Sequence, residues 1–190
     1  MTLDADHVAD DLESVLFTEE QILTRVAALA GELERDYAGR SPVLIGVLAG
    51  AATFTVDLAR AFEGQLEIGW MEIKSYRTRN RASGSVRVLK DLDLDIAGRD
   101  VIIVDGVIDT GLTMSWLIGN LRQRGPASVA VCALLRKADT PEFADTPAYV
   151  GFDAPPGLIV GYGLDSRRHY RNLRCAAVLA RDVYGAARAR

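Results

Sequence analysis

The stretch Val101-Ile102-Ile103-Val104-Asp105-Gly106-Val107-Ile108-Asp109-Thr110-Gly111-Leu112-Thr113 constrains this chain more than any other. Four β-branched residues run into an acid, a second acid follows, and Thr-Gly-x-Thr closes the stretch. Met114, Leu117, Ile118 and Leu121 then recur at the i, i+3, i+4, i+7 spacing of a half-buried helix. The pattern reads as a buried strand, a tight loop and a helix start. Backbone N–H groups and threonine hydroxyls at such a helix N-terminus favour an anionic phosphate. A carboxylate held above that loop is placed to move a proton or to hold a cation. The competing reading is that Asp109 merely caps the next helix, as Asp often does at such turns. The Thr-Gly-x-Thr that follows favours the site.

A strand feeding a helix is one unit of an α/β fold, and the flanking sequence repeats the unit. Thr18 and Gln21 have the spacing of a capping box, and Ile22, Val26, Leu29 and Leu33 make the buried face of the helix it opens. Gly39 to Pro42 ends that helix. Val43 to Leu48 is a continuous apolar run, the signature of a central strand covered on both faces. Ala49-Gly50-Ala51-Ala52 supplies small residues for a strand-to-helix turn, and Phe54, Leu58, Ala61 and Phe62 continue the helix. Leu66 to Ile73 reads as a strand, Lys74 to Ser85 as a polar loop, and Ser85 to Leu89 as a strand returning from it. Together they predict a hairpin flap over about 74–89.

Further strands are expected at Ser128 to Leu135, Ala148 to Phe152, Leu158 to Tyr162 and Cys175 to Leu179. Loops are expected at 138–147 and 165–174. Residues 1–11 are expected to fray, and the tail from Arg181 to be helical or frayed. The fold class that follows is α/β, with a central mainly parallel sheet and flanking helices, in a single domain over 12–190. In such sheets ligands sit beyond the carboxyl ends of the strands. Ala49, Asp105, Lys137 and Asp165 all follow apolar runs and are candidates to converge there.

Composition narrows the function classes. A net charge of −4 argues against nucleic acid as a partner. Arg77, Arg79 and Arg81, and Arg167, Arg168, Arg171 and Arg174, are the basic clusters, and for most of them solvated surface is the simpler reading. Cys132 and Cys175 have neither metal-ligand spacing nor a disulfide framework and are expected as buried thiols. No apolar stretch is long enough to span a bilayer, and Met1 to Asp11 is acidic and lacks a signal-peptide pattern. The default expectation is a cytoplasmic protein with no membrane partner. His7 and His169 are lone histidines with no assigned role.

Several separated segments carry a resemblance over almost the whole chain after the first dozen residues. They are Leu-Ile-Gly-Val-Leu-Ala-Gly at 44–50, Lys-Ser-Tyr at 74–76, Ser-Gly-Ser-Val-Arg-Val-Leu-Lys-Asp-Leu-Asp at 83–93, Asp-Gly-Val-Ile-Asp-Thr-Gly-Leu-Thr at 105–113, Leu-Leu-Arg-Lys at 134–137, and Val-Gly-Tyr-Gly-Leu-Asp at 160–165. In order and spacing the sequence resembles the type I phosphoribosyltransferases, and most closely their bacterial hypoxanthine-guanine branch.

The resemblance implies Mg²⁺-assisted transfer of ribose 5-phosphate from phosphoribosyl pyrophosphate (PRPP) to N9 of a 6-oxopurine. Pyrophosphate leaves and a nucleoside monophosphate forms. It implies that Asp109, Thr110, Gly111, Leu112 and Thr113 cradle the 5-phosphate, with Asp109 as general acid or base at the purine N7. It places the ribose or its metal at Asp105 and Gly106, and pyrophosphate at Leu48, Ala49, Gly50 and Arg171. Lys137, Leu158, Ile159 and Asp165 fall at the base, with Asp105 and Asp165 as metal ligands. Ser75 and Tyr76 belong to the flap, and a small hood subdomain would come from the N-terminal segment and about 148–180. The family forms dimers and tetramers, so a homodimer or homotetramer is the expectation. Taken singly, Lys137 could be an ordinary end-of-strand lysine, and Asp165 a turn residue.

Four positions depart from the family pattern. Gly106 stands where a second carboxylate is usual, Leu158 where an aromatic residue stacks on the purine, and Ala49 where a Lys or Arg is common. Arg77 also follows Tyr76 where a small residue is common. Two readings accommodate the changes at the ligand positions: the same chemistry on a shifted base such as a 7-deazapurine, or a PRPP- or nucleotide-binding regulator with poor turnover. Adenine is disfavoured as a base, because the Lys137 ammonium suits a carbonyl oxygen and not an amino group.

Overall fold

The computed structural model describes residues 4–76, 85–138, 140 and 147–185. Its strands are β1 (Leu12–Phe17), β2 (Val43–Leu48), β3 (Glu67–Tyr76), β4 (Ser85–Lys90), β5 (Asp100–Ile108), β6 (Ser128–Lys137), β7 (Tyr149–Ala154), β8 (Ile159–Val160) and β9 (Ala176–Leu179). Its α-helices are α1 (Glu19–Asp36), α2 (Ala52–Ala61), α3 (Leu112–Arg122) and α4 (Arg181–Gly185).

The apolar runs of β2 and β5 put hydrophobic side chains on both faces, so both faces need cover. Successive residues of β5 divide between two clusters. Ile102 and Val104 pack with Ile22, Leu29 and Leu33 of α1 and Phe54 and Leu58 of α2. Val101 and Ile103 pack with Met114, Leu117, Ile118 and Leu121 of α3. The sheet runs β4-β3-β2-β5-β6-β7. β3, β2, β5, β6 and β7 are parallel, and β4 returns antiparallel along β3. The mainly parallel α/β expectation therefore holds, and so does the hairpin pairing of β3 with β4.

The capping box at Thr18 forms as expected: its hydroxyl accepts from the Gln21 N–H at 3.3 Å, and the Gln21 side chain accepts from the Thr18 N–H at 2.9 Å. The face predicted for α1 is the buried one. A second, antiparallel sheet of order β1-β9-β8 joins the two ends of the chain. Beneath it Val160, Leu173, Cys175, Ala177 and Leu179 form a separate small core. Burial pushes the Cys132 thiol up to about 12 and raises that of Cys175, so both are packing residues. No helix among the described residues is long and apolar enough to cross a membrane.

The structure departs from the sequence reading in five places. β3 runs through Lys74 and Ser75 to Tyr76, where a polar loop is expected, because β4 pairs with it there. Residues Ala5–Asp11, expected to fray, form 3₁₀ turns, with the Asp4 carboxylate accepting from the Ala5 N–H. They are held from far along the chain, because the Tyr170 hydroxyl donates to Asp11 at 2.8 Å. β1 has no counterpart in the sequence reading: Leu12–Phe17 becomes a strand by pairing with β9, a partner at the other end of the sequence. β5 continues through Asp105 and Gly106 to Ile108, because β6 runs alongside it as far as the Ile108↔Arg136 pair. β8 stops at Val160, because Gly161 (φ 93°), Tyr162 (φ 47°) and Gly163 (φ 96°) turn the backbone into the left-handed region. The middle of the flap and most of the 138–147 loop lie outside the described residues.

Candidate active site

Parallel pairing of β2, β5 and β6 delivers their carboxyl ends to one edge of the sheet. Asp109 directly follows β5, and Lys137 ends β6. The Lys137 Nζ lies 3.3 Å from the Asp109 carboxylate, with the lysine side chain 15 % exposed and the aspartate 49 %. A mostly covered ammonium thus meets a carboxylate open to solvent. Lys137 is therefore not a plain surface lysine, and its partner is the residue on which the sequence reading centred.

Beyond Asp109 the loop Thr110-Gly111 leads into α3. Gly111 sits at the N-cap in the left-handed region (φ 72°), a conformation that favours glycine, and it has no side chain with which to cap the helix. The first N–H groups of α3 have no partner within the helix, which is the feature that lets a helix start bind an anion. Thr110 and Leu112 are exposed and Thr113 is half-buried at this mouth. The N-cap position itself is held by Gly111 and not by Asp109, which lies two residues before it.

Asp105 and Gly106 sit inside β5. The Asp105 carboxylate accepts from the Gly106 N–H at 2.8 Å. The group keeps some accessible surface yet is enclosed by protein, and this burial pushes its carboxyl up to about 6, against the opposing pull of the Gly106 and Val107 N–H groups. Gly106 is closed over from outside. A Cβ there would lie 2.9 Å from the Gly50 carbonyl oxygen and 2.9 Å from a Leu164 methyl. Gly163 meets the same carbonyl: a Cβ on it would come within 2.7 Å of the Gly50 oxygen. The loop after β2 is therefore wedged between two glycines, one on β5 and one on the turn after β8. Within that loop the Leu48–Ala49 peptide is cis.

The turn after β8 is anchored twice. The Tyr162 hydroxyl donates to Asp57 of α2 at 2.6 Å, and burial raises the tyrosine's pKa. Arg171 pairs with Asp165 at 2.7 Å and donates to the Gly163 carbonyl at 2.5 Å. The other Asp165 oxygen accepts from the Arg168 N–H at 2.6 Å. Asp165 and Arg171, expected at a metal and at pyrophosphate, are here each other's partners. Among the described residues no group of three or more His, Cys, Asp or Glu is placed to hold a metal.

Two expected base contacts sit in packing environments. Ile159 is buried in the main core, while Leu158 is half-buried against the small core under the second sheet. Ser75 and Tyr76 end β3 opposite Val86 and Ser85. The structure thus joins Asp109 with Lys137, Asp165 with Arg171, and Gly50 with Gly106. Sequence reasoning missed Thr140, Tyr162, Gly163 and Leu164. The last three fall inside the quoted Val-Gly-Tyr-Gly-Leu-Asp segment, whose paired glycines were a usable signal of close packing. Thr140 gave none.

The family described as "Phosphoribosyl transferase domain" matches residues 15–167. The chain belongs to the phosphoribosyltransferase family. It is 47 % identical over 180 residues to a hypoxanthine-guanine phosphoribosyltransferase of Mycobacterium tuberculosis, covering 92 % of this chain and 89 % of the relative. A Bacillus subtilis protein of the same name is 40 % identical over 174 residues, covering 92 % and 97 %. A crystal structure of a Staphylococcus aureus hypoxanthine phosphoribosyltransferase superposes with a TM-score of 0.88 at 35 % identity, covering 94 % of this chain and 97 % of that one. The segments that carried the resemblance, from 44–50 to 160–165, lie within the matched range.

Proposed function

We propose that this chain is a purine phosphoribosyltransferase that moves ribose 5-phosphate from PRPP to N9 of a 6-oxopurine, with release of pyrophosphate. The observation that carries the reading is the Asp109–Lys137 pair at the mouth of the phosphate loop. The 5-phosphate binds the N–H groups of the 110–113 loop and the start of α3. The Lys137 ammonium donates to the exocyclic oxygen at C6 of the base. Asp109 accepts the proton that the base loses at N7, as the bond from N9 to C1 of the ribose forms and the bond from that C1 to pyrophosphate breaks. Positive charge develops on the ribose in that transition state, and carboxylates at the carboxyl edge of the sheet are placed to stabilise it.

The donor set suits a divalent metal carried mainly by substrate. A hard cation such as Mg²⁺ keeps several waters and takes one or two protein carboxylates together with phosphates. Asp105, with no cation beside it among the described residues, fits that role. Asp165 fits only once Arg171 lets go. When bound, the metal neutralises charge on the pyrophosphate leaving group. A homodimer or homotetramer is the assembly proposed, by analogy with the family.

The test is a panel of bases with PRPP and Mg²⁺, read as pyrophosphate release: hypoxanthine, guanine, xanthine and 7-deazaguanines. Turnover on a 6-oxopurine is expected. Turnover confined to 7-deaza bases would move the assignment to a shifted base. Binding of PRPP by calorimetry with no turnover on any base would leave a regulator instead.

A further inference from the structure

Parallel pairing of β5 with β6 ends at Ile108↔Arg136, one residue short of Asp109 and Lys137. No strand hydrogen bonds fix the two side chains relative to each other, yet they meet at 3.3 Å. Thr140 closes this gap from both sides. Its N–H donates to the Lys137 carbonyl at 3.0 Å, which makes a tight turn at the end of β6. Its hydroxyl donates to the Asp109 carbonyl at 2.7 Å and approaches the Ile108 carbonyl at 3.2 Å. One residue thus bonds the backbone of both members of the pair.

We propose that Thr140 is a positioning residue: its hydroxyl ties the end of β5 to the turn after β6 and so holds Asp109 within reach of Lys137. This rests on the functional reading given above. A hydroxyl donor is needed, because the acceptors are backbone carbonyls that an aliphatic side chain cannot satisfy. The hydroxyl does not itself face the reacting atoms, so the effect passes through Asp109.

The experiment compares Thr140→Val, which keeps shape and loses the donor, with Thr140→Ser, which keeps the donor. Steady-state kinetics with PRPP and hypoxanthine should show kcat/KM for the base falling roughly tenfold in the valine variant, the loss expected from one interaction felt in the transition state, with KM for PRPP unchanged. The serine variant should keep wild-type rates. A second readout does not depend on turnover: acetic anhydride labelling of Lys137, followed by mass spectrometry, should be faster in Thr140→Val than in wild type, because a mostly covered lysine no longer held against its carboxylate is more open to the reagent. Wild-type kinetics together with wild-type labelling in Thr140→Val would overturn the proposal. So would an equal loss in PRPP affinity, which would make Thr140 a support of the phosphate loop. A valine variant that unfolds beside a normal serine variant would show a role in the fold and overturn it too. If the wild type itself turns over no base, the functional reading fails, and the labelling rates alone decide whether Thr140 holds the pair.

Discussion

The end of β5 carries two carboxylates in opposite settings. Asp105 is enclosed by protein, its neighbour Gly106 is closed over by the Gly50 carbonyl and Leu164, and no cation stands beside it among the described residues. Asp109 is half exposed, faces an ammonium, and lies beside a helix start whose N-cap is a glycine. Side chains enclosed by backbone are governed by shape, because close-packed atoms cannot move aside cheaply. An exposed pair is governed by charge, because little around it resists a change of volume. The inner half of this strand end should therefore answer to substitutions through stability, and the outer half through rate.

The sharpest way to break that contrast is Asp109→Asn. It preserves shape and removes the proton acceptor, so kcat should fall about 10²-fold, within the range for general acid–base catalysis, while PRPP affinity and thermal stability stay near wild type. A large fall in melting temperature would mean that the outer half is structural as well.

The complementary change is Gly106→Asp, which installs the second carboxylate usual in the family. Its Cβ would meet the Gly50 carbonyl, a backbone atom, so urea unfolding should show a loss of about 2 kcal/mol, typical of overpacking. Activity should drop rather than rise, because the 48–50 loop has to shift. Unchanged stability with raised activity would show that Gly106 is merely a missing ligand.

A third effect is expected from pH, spread gradually over about two pH steps. Burial raises the Asp105 carboxyl to about 6 in the folded state, above its unfolded value. Between about pH 4 and pH 6 the native state then binds more protons than the unfolded one, so stability falls as pH rises through that window. The contribution is on the order of 3 kcal/mol, because each pH step by which a carboxyl's titration midpoint rises corresponds to about 1.4 kcal/mol, and here it rises from 3.8 to about 6. Asp105→Asn should remove this slope, read as the difference between the two unfolding profiles across the same pH range. Identical slopes would mean that Asp105 is better solvated than its surroundings imply.

Where sequence reasoning succeeded, the signal was local. The buried strand β5, the Thr18 cap, the buried faces of α1 and α3, and the strand–loop–helix unit around Asp109 all follow from residues within a turn or two of one another. Lys137 was legible only through the family pattern. Nothing within its own stretch separates a site lysine from a surface one, and the distinction lies in its partner across the sheet. β1 was illegible for the same reason, since Leu12–Phe17 is a strand only because β9 pairs with it.

Gly106 shows the division most clearly. From the sequence it is an absent carboxylate, a subtraction from a ribose or metal site. In the folded chain the space beside it is filled by the Gly50 carbonyl and Leu164, so the same residue is what lets three segments close on one another. The fold class, the strand–loop–helix unit at 101–121 and the place of Asp109 on its loop were all legible in the residues themselves, because hydrophobic period and turn chemistry act over a few residues. Only the tertiary structure decided that Asp109 meets Lys137, that Arg171 holds Asp165, and that Thr140 bridges two strand ends. Those pairings join residues far apart along the chain, and their geometry is set by how parallel strands register and where each one stops.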